Sequence, residues 1–459
     1  MTSHPEPTTA GEREQGDDRH LIPFGEAFRY WLRLGFINFG GPAGQIAIMH
    51  EELVDRRRWV SNNRFLHALN YCMLLPGPEA QQLAIYIGWL LNGTWGGIVA
   101  GLLFILPAFF LILGLSWTYA VHGDVSWIAA VFFGLRAAVI ALVLAALIRI
   151  GSRALRSPSS VAIAAGAFVA IFFVKVPFPL IIVAAAGIGL LFARVRPEPS
   201  APEHVEQRDV LIRDDQRSTR GRRRWRTPKV LAVGLAVWWF PLLLVVAIRG
   251  SDDTISQQAF FFSQAAMVTF GGAYAVLSYI NQAAVQHFGW LDPGQMVTGL
   301  GLAESTPGPL IMVTEFVGFL GAYRFPGGLH PVAAGVLGAT VTVWATFAPC
   351  FLWIFLGAPY IERLRDNQAL AGALGGVTAA VVGVILNLAL TFAIAVLFNE
   401  VSTQRIVGLT FPWPVFGSVD VFAAALAAGG FVALWRLRWN VLWVVGASAI
   451  AGLAYRTLL

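Results

Sequence analysis

Charge is scarce in this chain. Of its 459 residues only 13% are Asp, Glu, Lys or Arg, about half the roughly 25% that an ordinary soluble domain carries. So few charges do not solvate a surface of this size, which excludes a water-soluble globular protein. Cysteine is almost absent. Cys72 and Cys350, each inside an apolar run, form neither a disulfide framework nor a metal-binding spacing, and both read as small packing residues. The eight histidines are scattered, and His50, His67 and His287 read as interfacial. There is no HExxH, no GxSxG and no phosphate-binding P-loop, so zinc hydrolysis, serine hydrolysis and nucleotide-driven work all lack their residues. These absences argue against an enzyme, a metal site and a cofactor. The net charge of +6 is what loop Lys and Arg give a membrane protein, and it implies no nucleic-acid partner. Residues 1–20 lack the basic start and apolar core of a cleavable signal; they read as a disordered cytoplasmic tail.

What the chain does have is apolar length. Hydrophobic residues make up 57% of it and the mean hydropathy is +0.66. Apolar runs at 95–120, 125–148, 229–248, 331–357, 369–398 and 440–458 are each long enough to cross a hydrocarbon core of roughly 30 Å. Sixteen Trp and 33 Phe suit interfacial belts and lipid-facing surface. The fold class is therefore an all-α polytopic membrane protein with the lipid bilayer as its first partner. A homodimer is compatible with the sequence.

One long polar stretch, 194–228, is Pro-rich and ends strongly basic, "RGRRRWRTP", and reads as a cytoplasmic linker. On either side the chain repeats itself. "FGGPAG" at Phe39 matches "FGGAYA" at Phe270, Trp59 matches Trp290, and "PGP" at 76–78 matches "PGP" at 307–309, all 231 residues apart. "LPAFFLIL" (106–113) and "GLRAAVI" (134–140) match "APCFLWIF" (348–355) and "GVTAAVV" (376–382) at a second offset of 242. Ordered matches at constant offsets indicate internal duplication. The boundaries are 21–193 for the first repeat, 229–255 for a connecting transmembrane helix and 256–459 for the second repeat.

Basic loops fall at opposite places in the two copies. "DRRRW" (55–59) follows the first FGG segment, whereas its counterpart "QHFGWLD" (286–292) has no Lys or Arg. After the third segment "YAVHGDVSW" (119–127) has none, whereas "YIERLRDNQ" (360–368) has Arg363 and Arg365. The positive-inside rule then predicts two repeats of inverted topology. If the FGG and PGP segments fold back at their Gly-Pro breaks, with arms of roughly 10 to 15 residues, the basic loops all face the cytoplasm. The fold is thus expected to contain broken or re-entrant helices, a simple kinked span being the alternative.

Irregular backbone at membrane depth is tolerated only inside protein or beside a wet cavity. Pro76, Pro78, Pro307 and Pro309 lack N–H donors, while Gly77 and Gly308 permit close approach. Ser61 and Asp292 are expected to cap the helices leading into each PGP. The helices that start after PGP, and after Gly40-Gly41-Pro42 and Gly271-Gly272, offer free N–H groups and positive dipole ends, an anion site without many full charges. Glu79, Gln81 and Gln82 flank the first PGP, and Glu304, Ser305 and Thr306 the second. An intramembrane acid is a functional candidate by default. It can bind a coupling proton, pair with an arginine or cap the break, and all three roles stay open. Arg136, Lys175 and Glu315 are the other charges at membrane depth; Arg136 is expected to make the site asymmetric, and Lys175 to sit in a tight turn between two short spans.

"FGGPAGQIA", "LPGPEAQQLAIYIGW", "FGGAYAVLSYI" and "ESTPGPLIMVTEFVGF" resemble the chromate ion transporter family in its long two-domain form, over roughly residues 25–190 and 256–455. The resemblance implies a bacterial inner-membrane carrier with antiparallel halves that exports chromate and confers chromate resistance, with sulfate as a competing anion. It implies functional roles for Gly40, Gly41, Pro42, Gln45, Pro76, Gly77, Pro78, Glu79 and Gln81, and for Gly271, Gly272, Tyr274, Glu304, Thr306, Pro307, Gly308 and Pro309. Two positions depart from the family pattern: Asn38 where serine is expected, and Glu315 where glutamine is frequent. A carrier for sulfate or another oxyanion, working by exchange or proton coupling, is the alternative.

Overall fold

The computed structural model describes residues 22–195, 226–270, 272–357, 368–406 and 409–458. The tail at 1–20, most of the linker, Gly271 and the loop with Arg363 and Arg365 lie outside the described residues.

Seven helices form the first part of the chain: α1 (Phe24–Ile37), α2 (Gly41–His50, continued by a π turn, Glu51–Arg56), α3 (Asn62–Leu74), α4 (Glu79–His122), α5 (Ser126–Ala154), α6 (Pro158–Phe172) and α7 (Phe178–Val195). After α8 (Arg226–Arg249) the order returns as α9 (Thr254–Met267), α10 (Ala273–Asn281, continued by a π turn, Gln282–His287) and α11 (Pro293–Ser305). A 3₁₀ turn, Leu310–Met312, then leads into α12 (Val313–Arg324), followed by α13 (Pro331–Gly357), α14 (Gln368–Leu397), α15 (Val421–Trp435) and α16 (Val441–Leu458). The backbone of α4 leaves the helical region at Asn92–Gly93, so its two parts correspond to α12 and α13. Duplication extends to irregularities. The π turns start at Glu51 and Gln282, 231 residues apart, and each is followed by a left-handed residue, Arg58 (φ 54°) and Gly289 (φ 64°).

Six of these helices, in α4, α5, α8, α13, α14 and α16, are long and apolar enough to cross a membrane, matching the six apolar runs of the sequence. Lys175 stands in the turn between α6 and α7, with φ 61°, as expected. The all-α reading omits one small feature. Strands β1 (Val401–Ile406) and β2 (Leu409–Pro414) pair antiparallel between α14 and α15, in a run of β-branched and aromatic residues that suits a ladder.

The copies exchange their last helices. α7 packs on α14 of the second copy, and α16 packs on α5 of the first. The contacts are reciprocal: a Cβ on Gly134 of α5 would overlap the Ser448 carbonyl beside Gly452, and one on Gly376 of α14 would overlap the Ala185 carbonyl beside Gly189. Such closeness needs glycine, as in membrane helix pairs joined by small residues. Gly376→Leu is therefore expected to lower stability in detergent by about 1–3 kcal/mol or more through overpacking. Gly375→Leu, where an added Cβ meets nothing within 4 Å, should leave the thermal midpoint unchanged.

Each broken segment folds back on itself. In the second copy the N-cap of α11 and the last residue of α12 form an ion pair, Asp292 to Arg324 at 3.4 Å. Arg249, paired with Asp253 at the start of α9, also donates to the Pro326 and Gly327 carbonyls at 3.1 Å. In the first copy Arg57, past the end of the π turn, pairs with Glu26 at the start of α1 (3.3 Å), and Asn92 donates to the Ile22 carbonyl at 2.8 Å. The arms of these hairpins hold 13 or 14 residues in α1, α3, α9 and α11, about 20 Å each at 1.5 Å per residue, shorter than a hydrocarbon core of about 30 Å. Past its interruption α4 runs on to Tyr119 and Gly123, which line a cavity with Asp292 and Arg324. The two copies accordingly begin at opposite ends of the molecule.

Candidate anion site at the helix breaks

All four breaks meet, and the contacts that join them are paired across the copies. Gly77 N–H donates to the Thr269 carbonyl at 2.9 Å, and Gly308 N–H donates to the Asn38 carbonyl at 3.3 Å. Gly77 and Gly308 are 231 residues apart, as are Asn38 and Thr269, so each copy's PGP break is tied to the other copy's FGG break, as a twofold relation requires. Both glycines hold a left-handed backbone, φ 124° at Gly77 and 122° at Gly308, which L residues adopt only with strain. Their neighbours match too. A Cβ on Gly77 would sit 2.9 Å from Cys350 Sγ, and one on Gly308 would overlap Ala108; Ala108 and Cys350 are counterparts at the 242 offset.

Side chains close the junction. Gln45, fully buried, donates Nε2 to the Asn38 carbonyl (3.0 Å) and to the Gly308 carbonyl (2.5 Å). Gln82 donates to the Pro76 carbonyl at 2.8 Å, and Asn38 Nδ2 to the Phe104 carbonyl at 3.3 Å. Thr306, expected at the site, turns its hydroxyl back to the Leu302 carbonyl at 3.0 Å, and Gln81 Nε2 reaches the Gly101 carbonyl at 3.5 Å. Both therefore support the break rather than point away from it.

Helix starts distinguish the breaks from the loops. Ser61 accepts the Arg64 N–H at 3.2 Å, and Asp292 forms a capping box with Gln295, as the sequence suggests. At the breaks the N-caps are Gly40, Pro78, Gly272 and Pro309, and none makes a side-chain cap. Proline stands at the N-cap after each PGP, one place before the helical turn where the sequence put it. None of the four N-cap side chains thus covers the first-turn N–H groups that follow it, and four positive dipole ends converge. Gly40, Gly41, Pro42, Pro76, Glu79, Gly272 and Tyr274 keep part of their surface uncovered, while Gly77, Pro78, Pro307 and Pro309 are buried beneath them.

Two acids lie here with unlike surroundings. Tyr274 donates its hydroxyl to Glu304 Oε1 in a short hydrogen bond, which joins the start of α10 to the end of α11. Glu79 Oε1 lies 3.8 Å from where Gly272 would carry a Cβ, at the N-terminal end of α10, and its Oε2 has no hydrogen-bond partner among the described residues. Arg136 is not at the breaks. It bonds to Thr298 Oγ1 at 2.8 Å and to the Tyr119 hydroxyl, two turns of α11 away, where it lines a cavity of about 450 Å³ with Arg324 and Arg456. A second cavity of about 710 Å³, lined by Arg29, Arg33 and Arg57, opens at the other end. Each lies where its own copy's FGG hairpin ends, beside Arg57 in one case and Trp290 in the other.

The carbonyls of Asn38 and Thr269 were absent from the sequence-derived set. Their signal was present: both precede the matched Phe39 and Phe270 at the 231 offset, but a backbone acceptor leaves no mark on residue type.

Comparison with known proteins agrees with this architecture. The family model described as chromate transporter matches residues 25–190 and 256–453. The chain belongs to the chromate transporter family. Similar relatives include the chromate transport protein of Pseudomonas aeruginosa, 31% identical over 94% of this chain and 92% of that protein. The chromate transport protein of Cupriavidus metallidurans is 29% identical over 79% and 81% of the two chains, and the probable chromate transport protein of Synechococcus elongatus 29% over 78% and 81%. No solved structure matches. The two matched regions of the chromate transporter model span α1 to α7 and α9 to α16, with α8 between them.

Proposed function

We propose that this chromate transporter is a bacterial inner-membrane carrier that moves chromate out of the cytoplasm through the junction of the four breaks, and so confers chromate resistance. The observation that carries this is the set of four uncapped helix starts, drawn from both copies and tied by reciprocal hydrogen bonds. A tetrahedral dianion presents only acceptor oxygens, and N–H donors with aligned dipoles complement it, with the Arg149 charge close enough to act on Tyr274 and Glu304. Gly40, Gly41 and Pro42 of the first copy and Gly272 and Tyr274 of the second would line the ion's path, with Gly271 expected beside them. Pro76, Gly77, Pro78 and Pro307, Gly308, Pro309 would hold the bends open. The arginine-lined cavities would gather anions at either mouth.

The copies are read as inverted in the bilayer, because they begin at opposite ends, and the basic loops around Arg57 and Arg153 would then belong to one face. Alternating access then follows from rocking one copy against the other about the shared junction. Moving two negative charges out of a cell with a negative interior gains about 4.6 kcal/mol per 100 mV, so export needs no nucleotide. In proteoliposomes an imposed potential is expected to drive chromate flux in proportion to its size and sign, with sulfate competing. Flux indifferent to potential, requiring a counter-anion instead, would replace this potential-driven export by exchange.

A further inference from the structure

One buried acid takes no part in the breaks. Glu315 on α12 is fully buried, and neither carboxylate oxygen has a hydrogen-bond partner among the described residues. It lies where α12 packs on α13 and α9. Three residues on, hence on the same helix face, a Cβ on Gly318 would overlap the Thr342 hydroxyl of α13. From α9, Gln258 donates Nε2 to the Gly318 carbonyl at 3.1 Å, and its Oε1 lies 2.8 Å from where Gly338 would carry a Cβ. Thr342 Oγ1 and Gln258 Oε1 are likewise buried without partners among the described residues.

The first copy has the same packing without the polarity. There Gly88 meets Ala100 and Gly96 as Gly318 meets Thr342 and Gly338. In that frame Ile85 takes the place of Glu315, Ala100 that of Thr342 and Ala27 that of Gln258, all buried. Polar groups have thus been built into one copy only. No basic side chain answers them: α4, α9, α11 and α13, the helices packed on α12, contain no Lys or Arg. Their titratable groups are Cys350 on α13; Glu79, Tyr86, Tyr119 and His122 on α4; and Glu304 on α11, which is held by Tyr274. A bare carboxylate in such a seam costs several kcal/mol, so it must be neutralised. Gly318, Gly335 and Gly338 bring α12 and α13 too close to admit a hydrated ion, whereas a proton needs no space.

We propose that Glu315 is a proton-binding site that links protons to the transport cycle. While α12 is docked, a carboxyl oxygen carries a proton taken from water, in a seam whose other unpartnered polar atoms among the described residues include Thr342 Oγ1 and Gln258 Oε1. When the hairpin of α11 and α12 swings out, Glu315 reaches water, the O–H bond breaks and the proton leaves. The cycle, though not the protonated state itself, rests on the carrier reading above.

Infrared difference spectra of the purified full chain, recorded without chromate at neutral pH, should show a protonated-carboxyl C=O band that is lost in Glu315→Gln. In proteoliposomes with an entrapped pH dye, wild-type chromate flux should move protons, and the Gln variant should keep potential-driven flux but lose that movement. Glu315→Ile combined with Thr342→Ala, which installs the residues of the first copy, should behave as Glu315→Gln does and guards against misfolding of a single variant. A carboxyl band identical in wild type and both variants would overturn the proposal, as would flux that requires Na⁺ and moves no protons. If the band is lost as expected but the wild type carries no chromate, the carrier reading fails while the proton site stands.

Discussion

Gly308→Ala is expected to abolish chromate flux while leaving the protein inserted and monodisperse in detergent, and Gly77→Ala to do the same. Both positions hold backbone conformations, φ 122° and 124°, that cost an L residue about 1–3 kcal/mol. At Gly308 the new methyl also overlaps Ala108, and at Gly77 it falls 2.8 Å from Gln82 Nε2. Relief requires the break to shift, and the bond it gives to the opposite copy, Gly308 N–H to Asn38 or Gly77 N–H to Thr269, is lost with the shift. A loss above about tenfold corresponds to only 1.4 kcal/mol, so the strain alone is large enough. Gly40→Ala has a left-handed φ of 89° but no close neighbour below 3.6 Å, and should lose less. Initial rates of radiolabelled chromate uptake into inverted vesicles measure all three, and equal loss at Gly40 would show that strain, not the cross-copy junction, decides.

The second large effect belongs to Tyr274 and Glu304. Tyr274→Phe removes the hydroxyl that Glu304 accepts and leaves a carboxyl buried to 6% exposure without that donor, a change of about 1–3 kcal/mol. Transport is expected to fall sharply, because the bond fixes the start of α10 against the end of α11, both at the junction. Glu304→Gln retains an acceptor oxygen and should lose less. In the double variant most of the tyrosine effect should vanish, since the group it serves no longer demands a donor. A strictly additive double variant would show that the two side chains act separately. If Glu304→Gln leaves the pH profile of transport unaltered, the acid is structural.

Much of this fold is written in residue types. The repeated FGG and PGP motifs, the paired tryptophans and the caps Ser61 and Asp292 fixed element order, hairpin ends and the positions of the breaks, because glycine, proline and cap residues act through local backbone geometry. Loop charge likewise anticipated that the FGG and PGP segments double back: Arg57 meets Glu26, and Arg324 meets Asp292. Long-range choices were not legible. The exchange of α7 and α16 between copies depends on Gly134 and Gly376, which resemble any helix-packing glycines until their partners are known. A slip of one residue between the copies was not legible either. The 231 offset becomes 230 after the second PGP, where a 3₁₀ turn leads into α12 and Gly318, not Phe319, stands opposite Gly88 in packing. That slip equates Glu315 with Ile85, both fully buried, the acid where α12 packs on α13 and α9.

The crossed seating of α7 and α16 has a consequence for a half-length chain. A polypeptide with a single copy would fold its first five helices and then find no groove for the last two, since Gly376 of one copy receives Ala185 and Gly189 of the other. Only a second copy would supply that groove, and each would complete the other. A chain of half this length would therefore reach this packing only as a pair, which one continuous chain joined through α8 makes permanent.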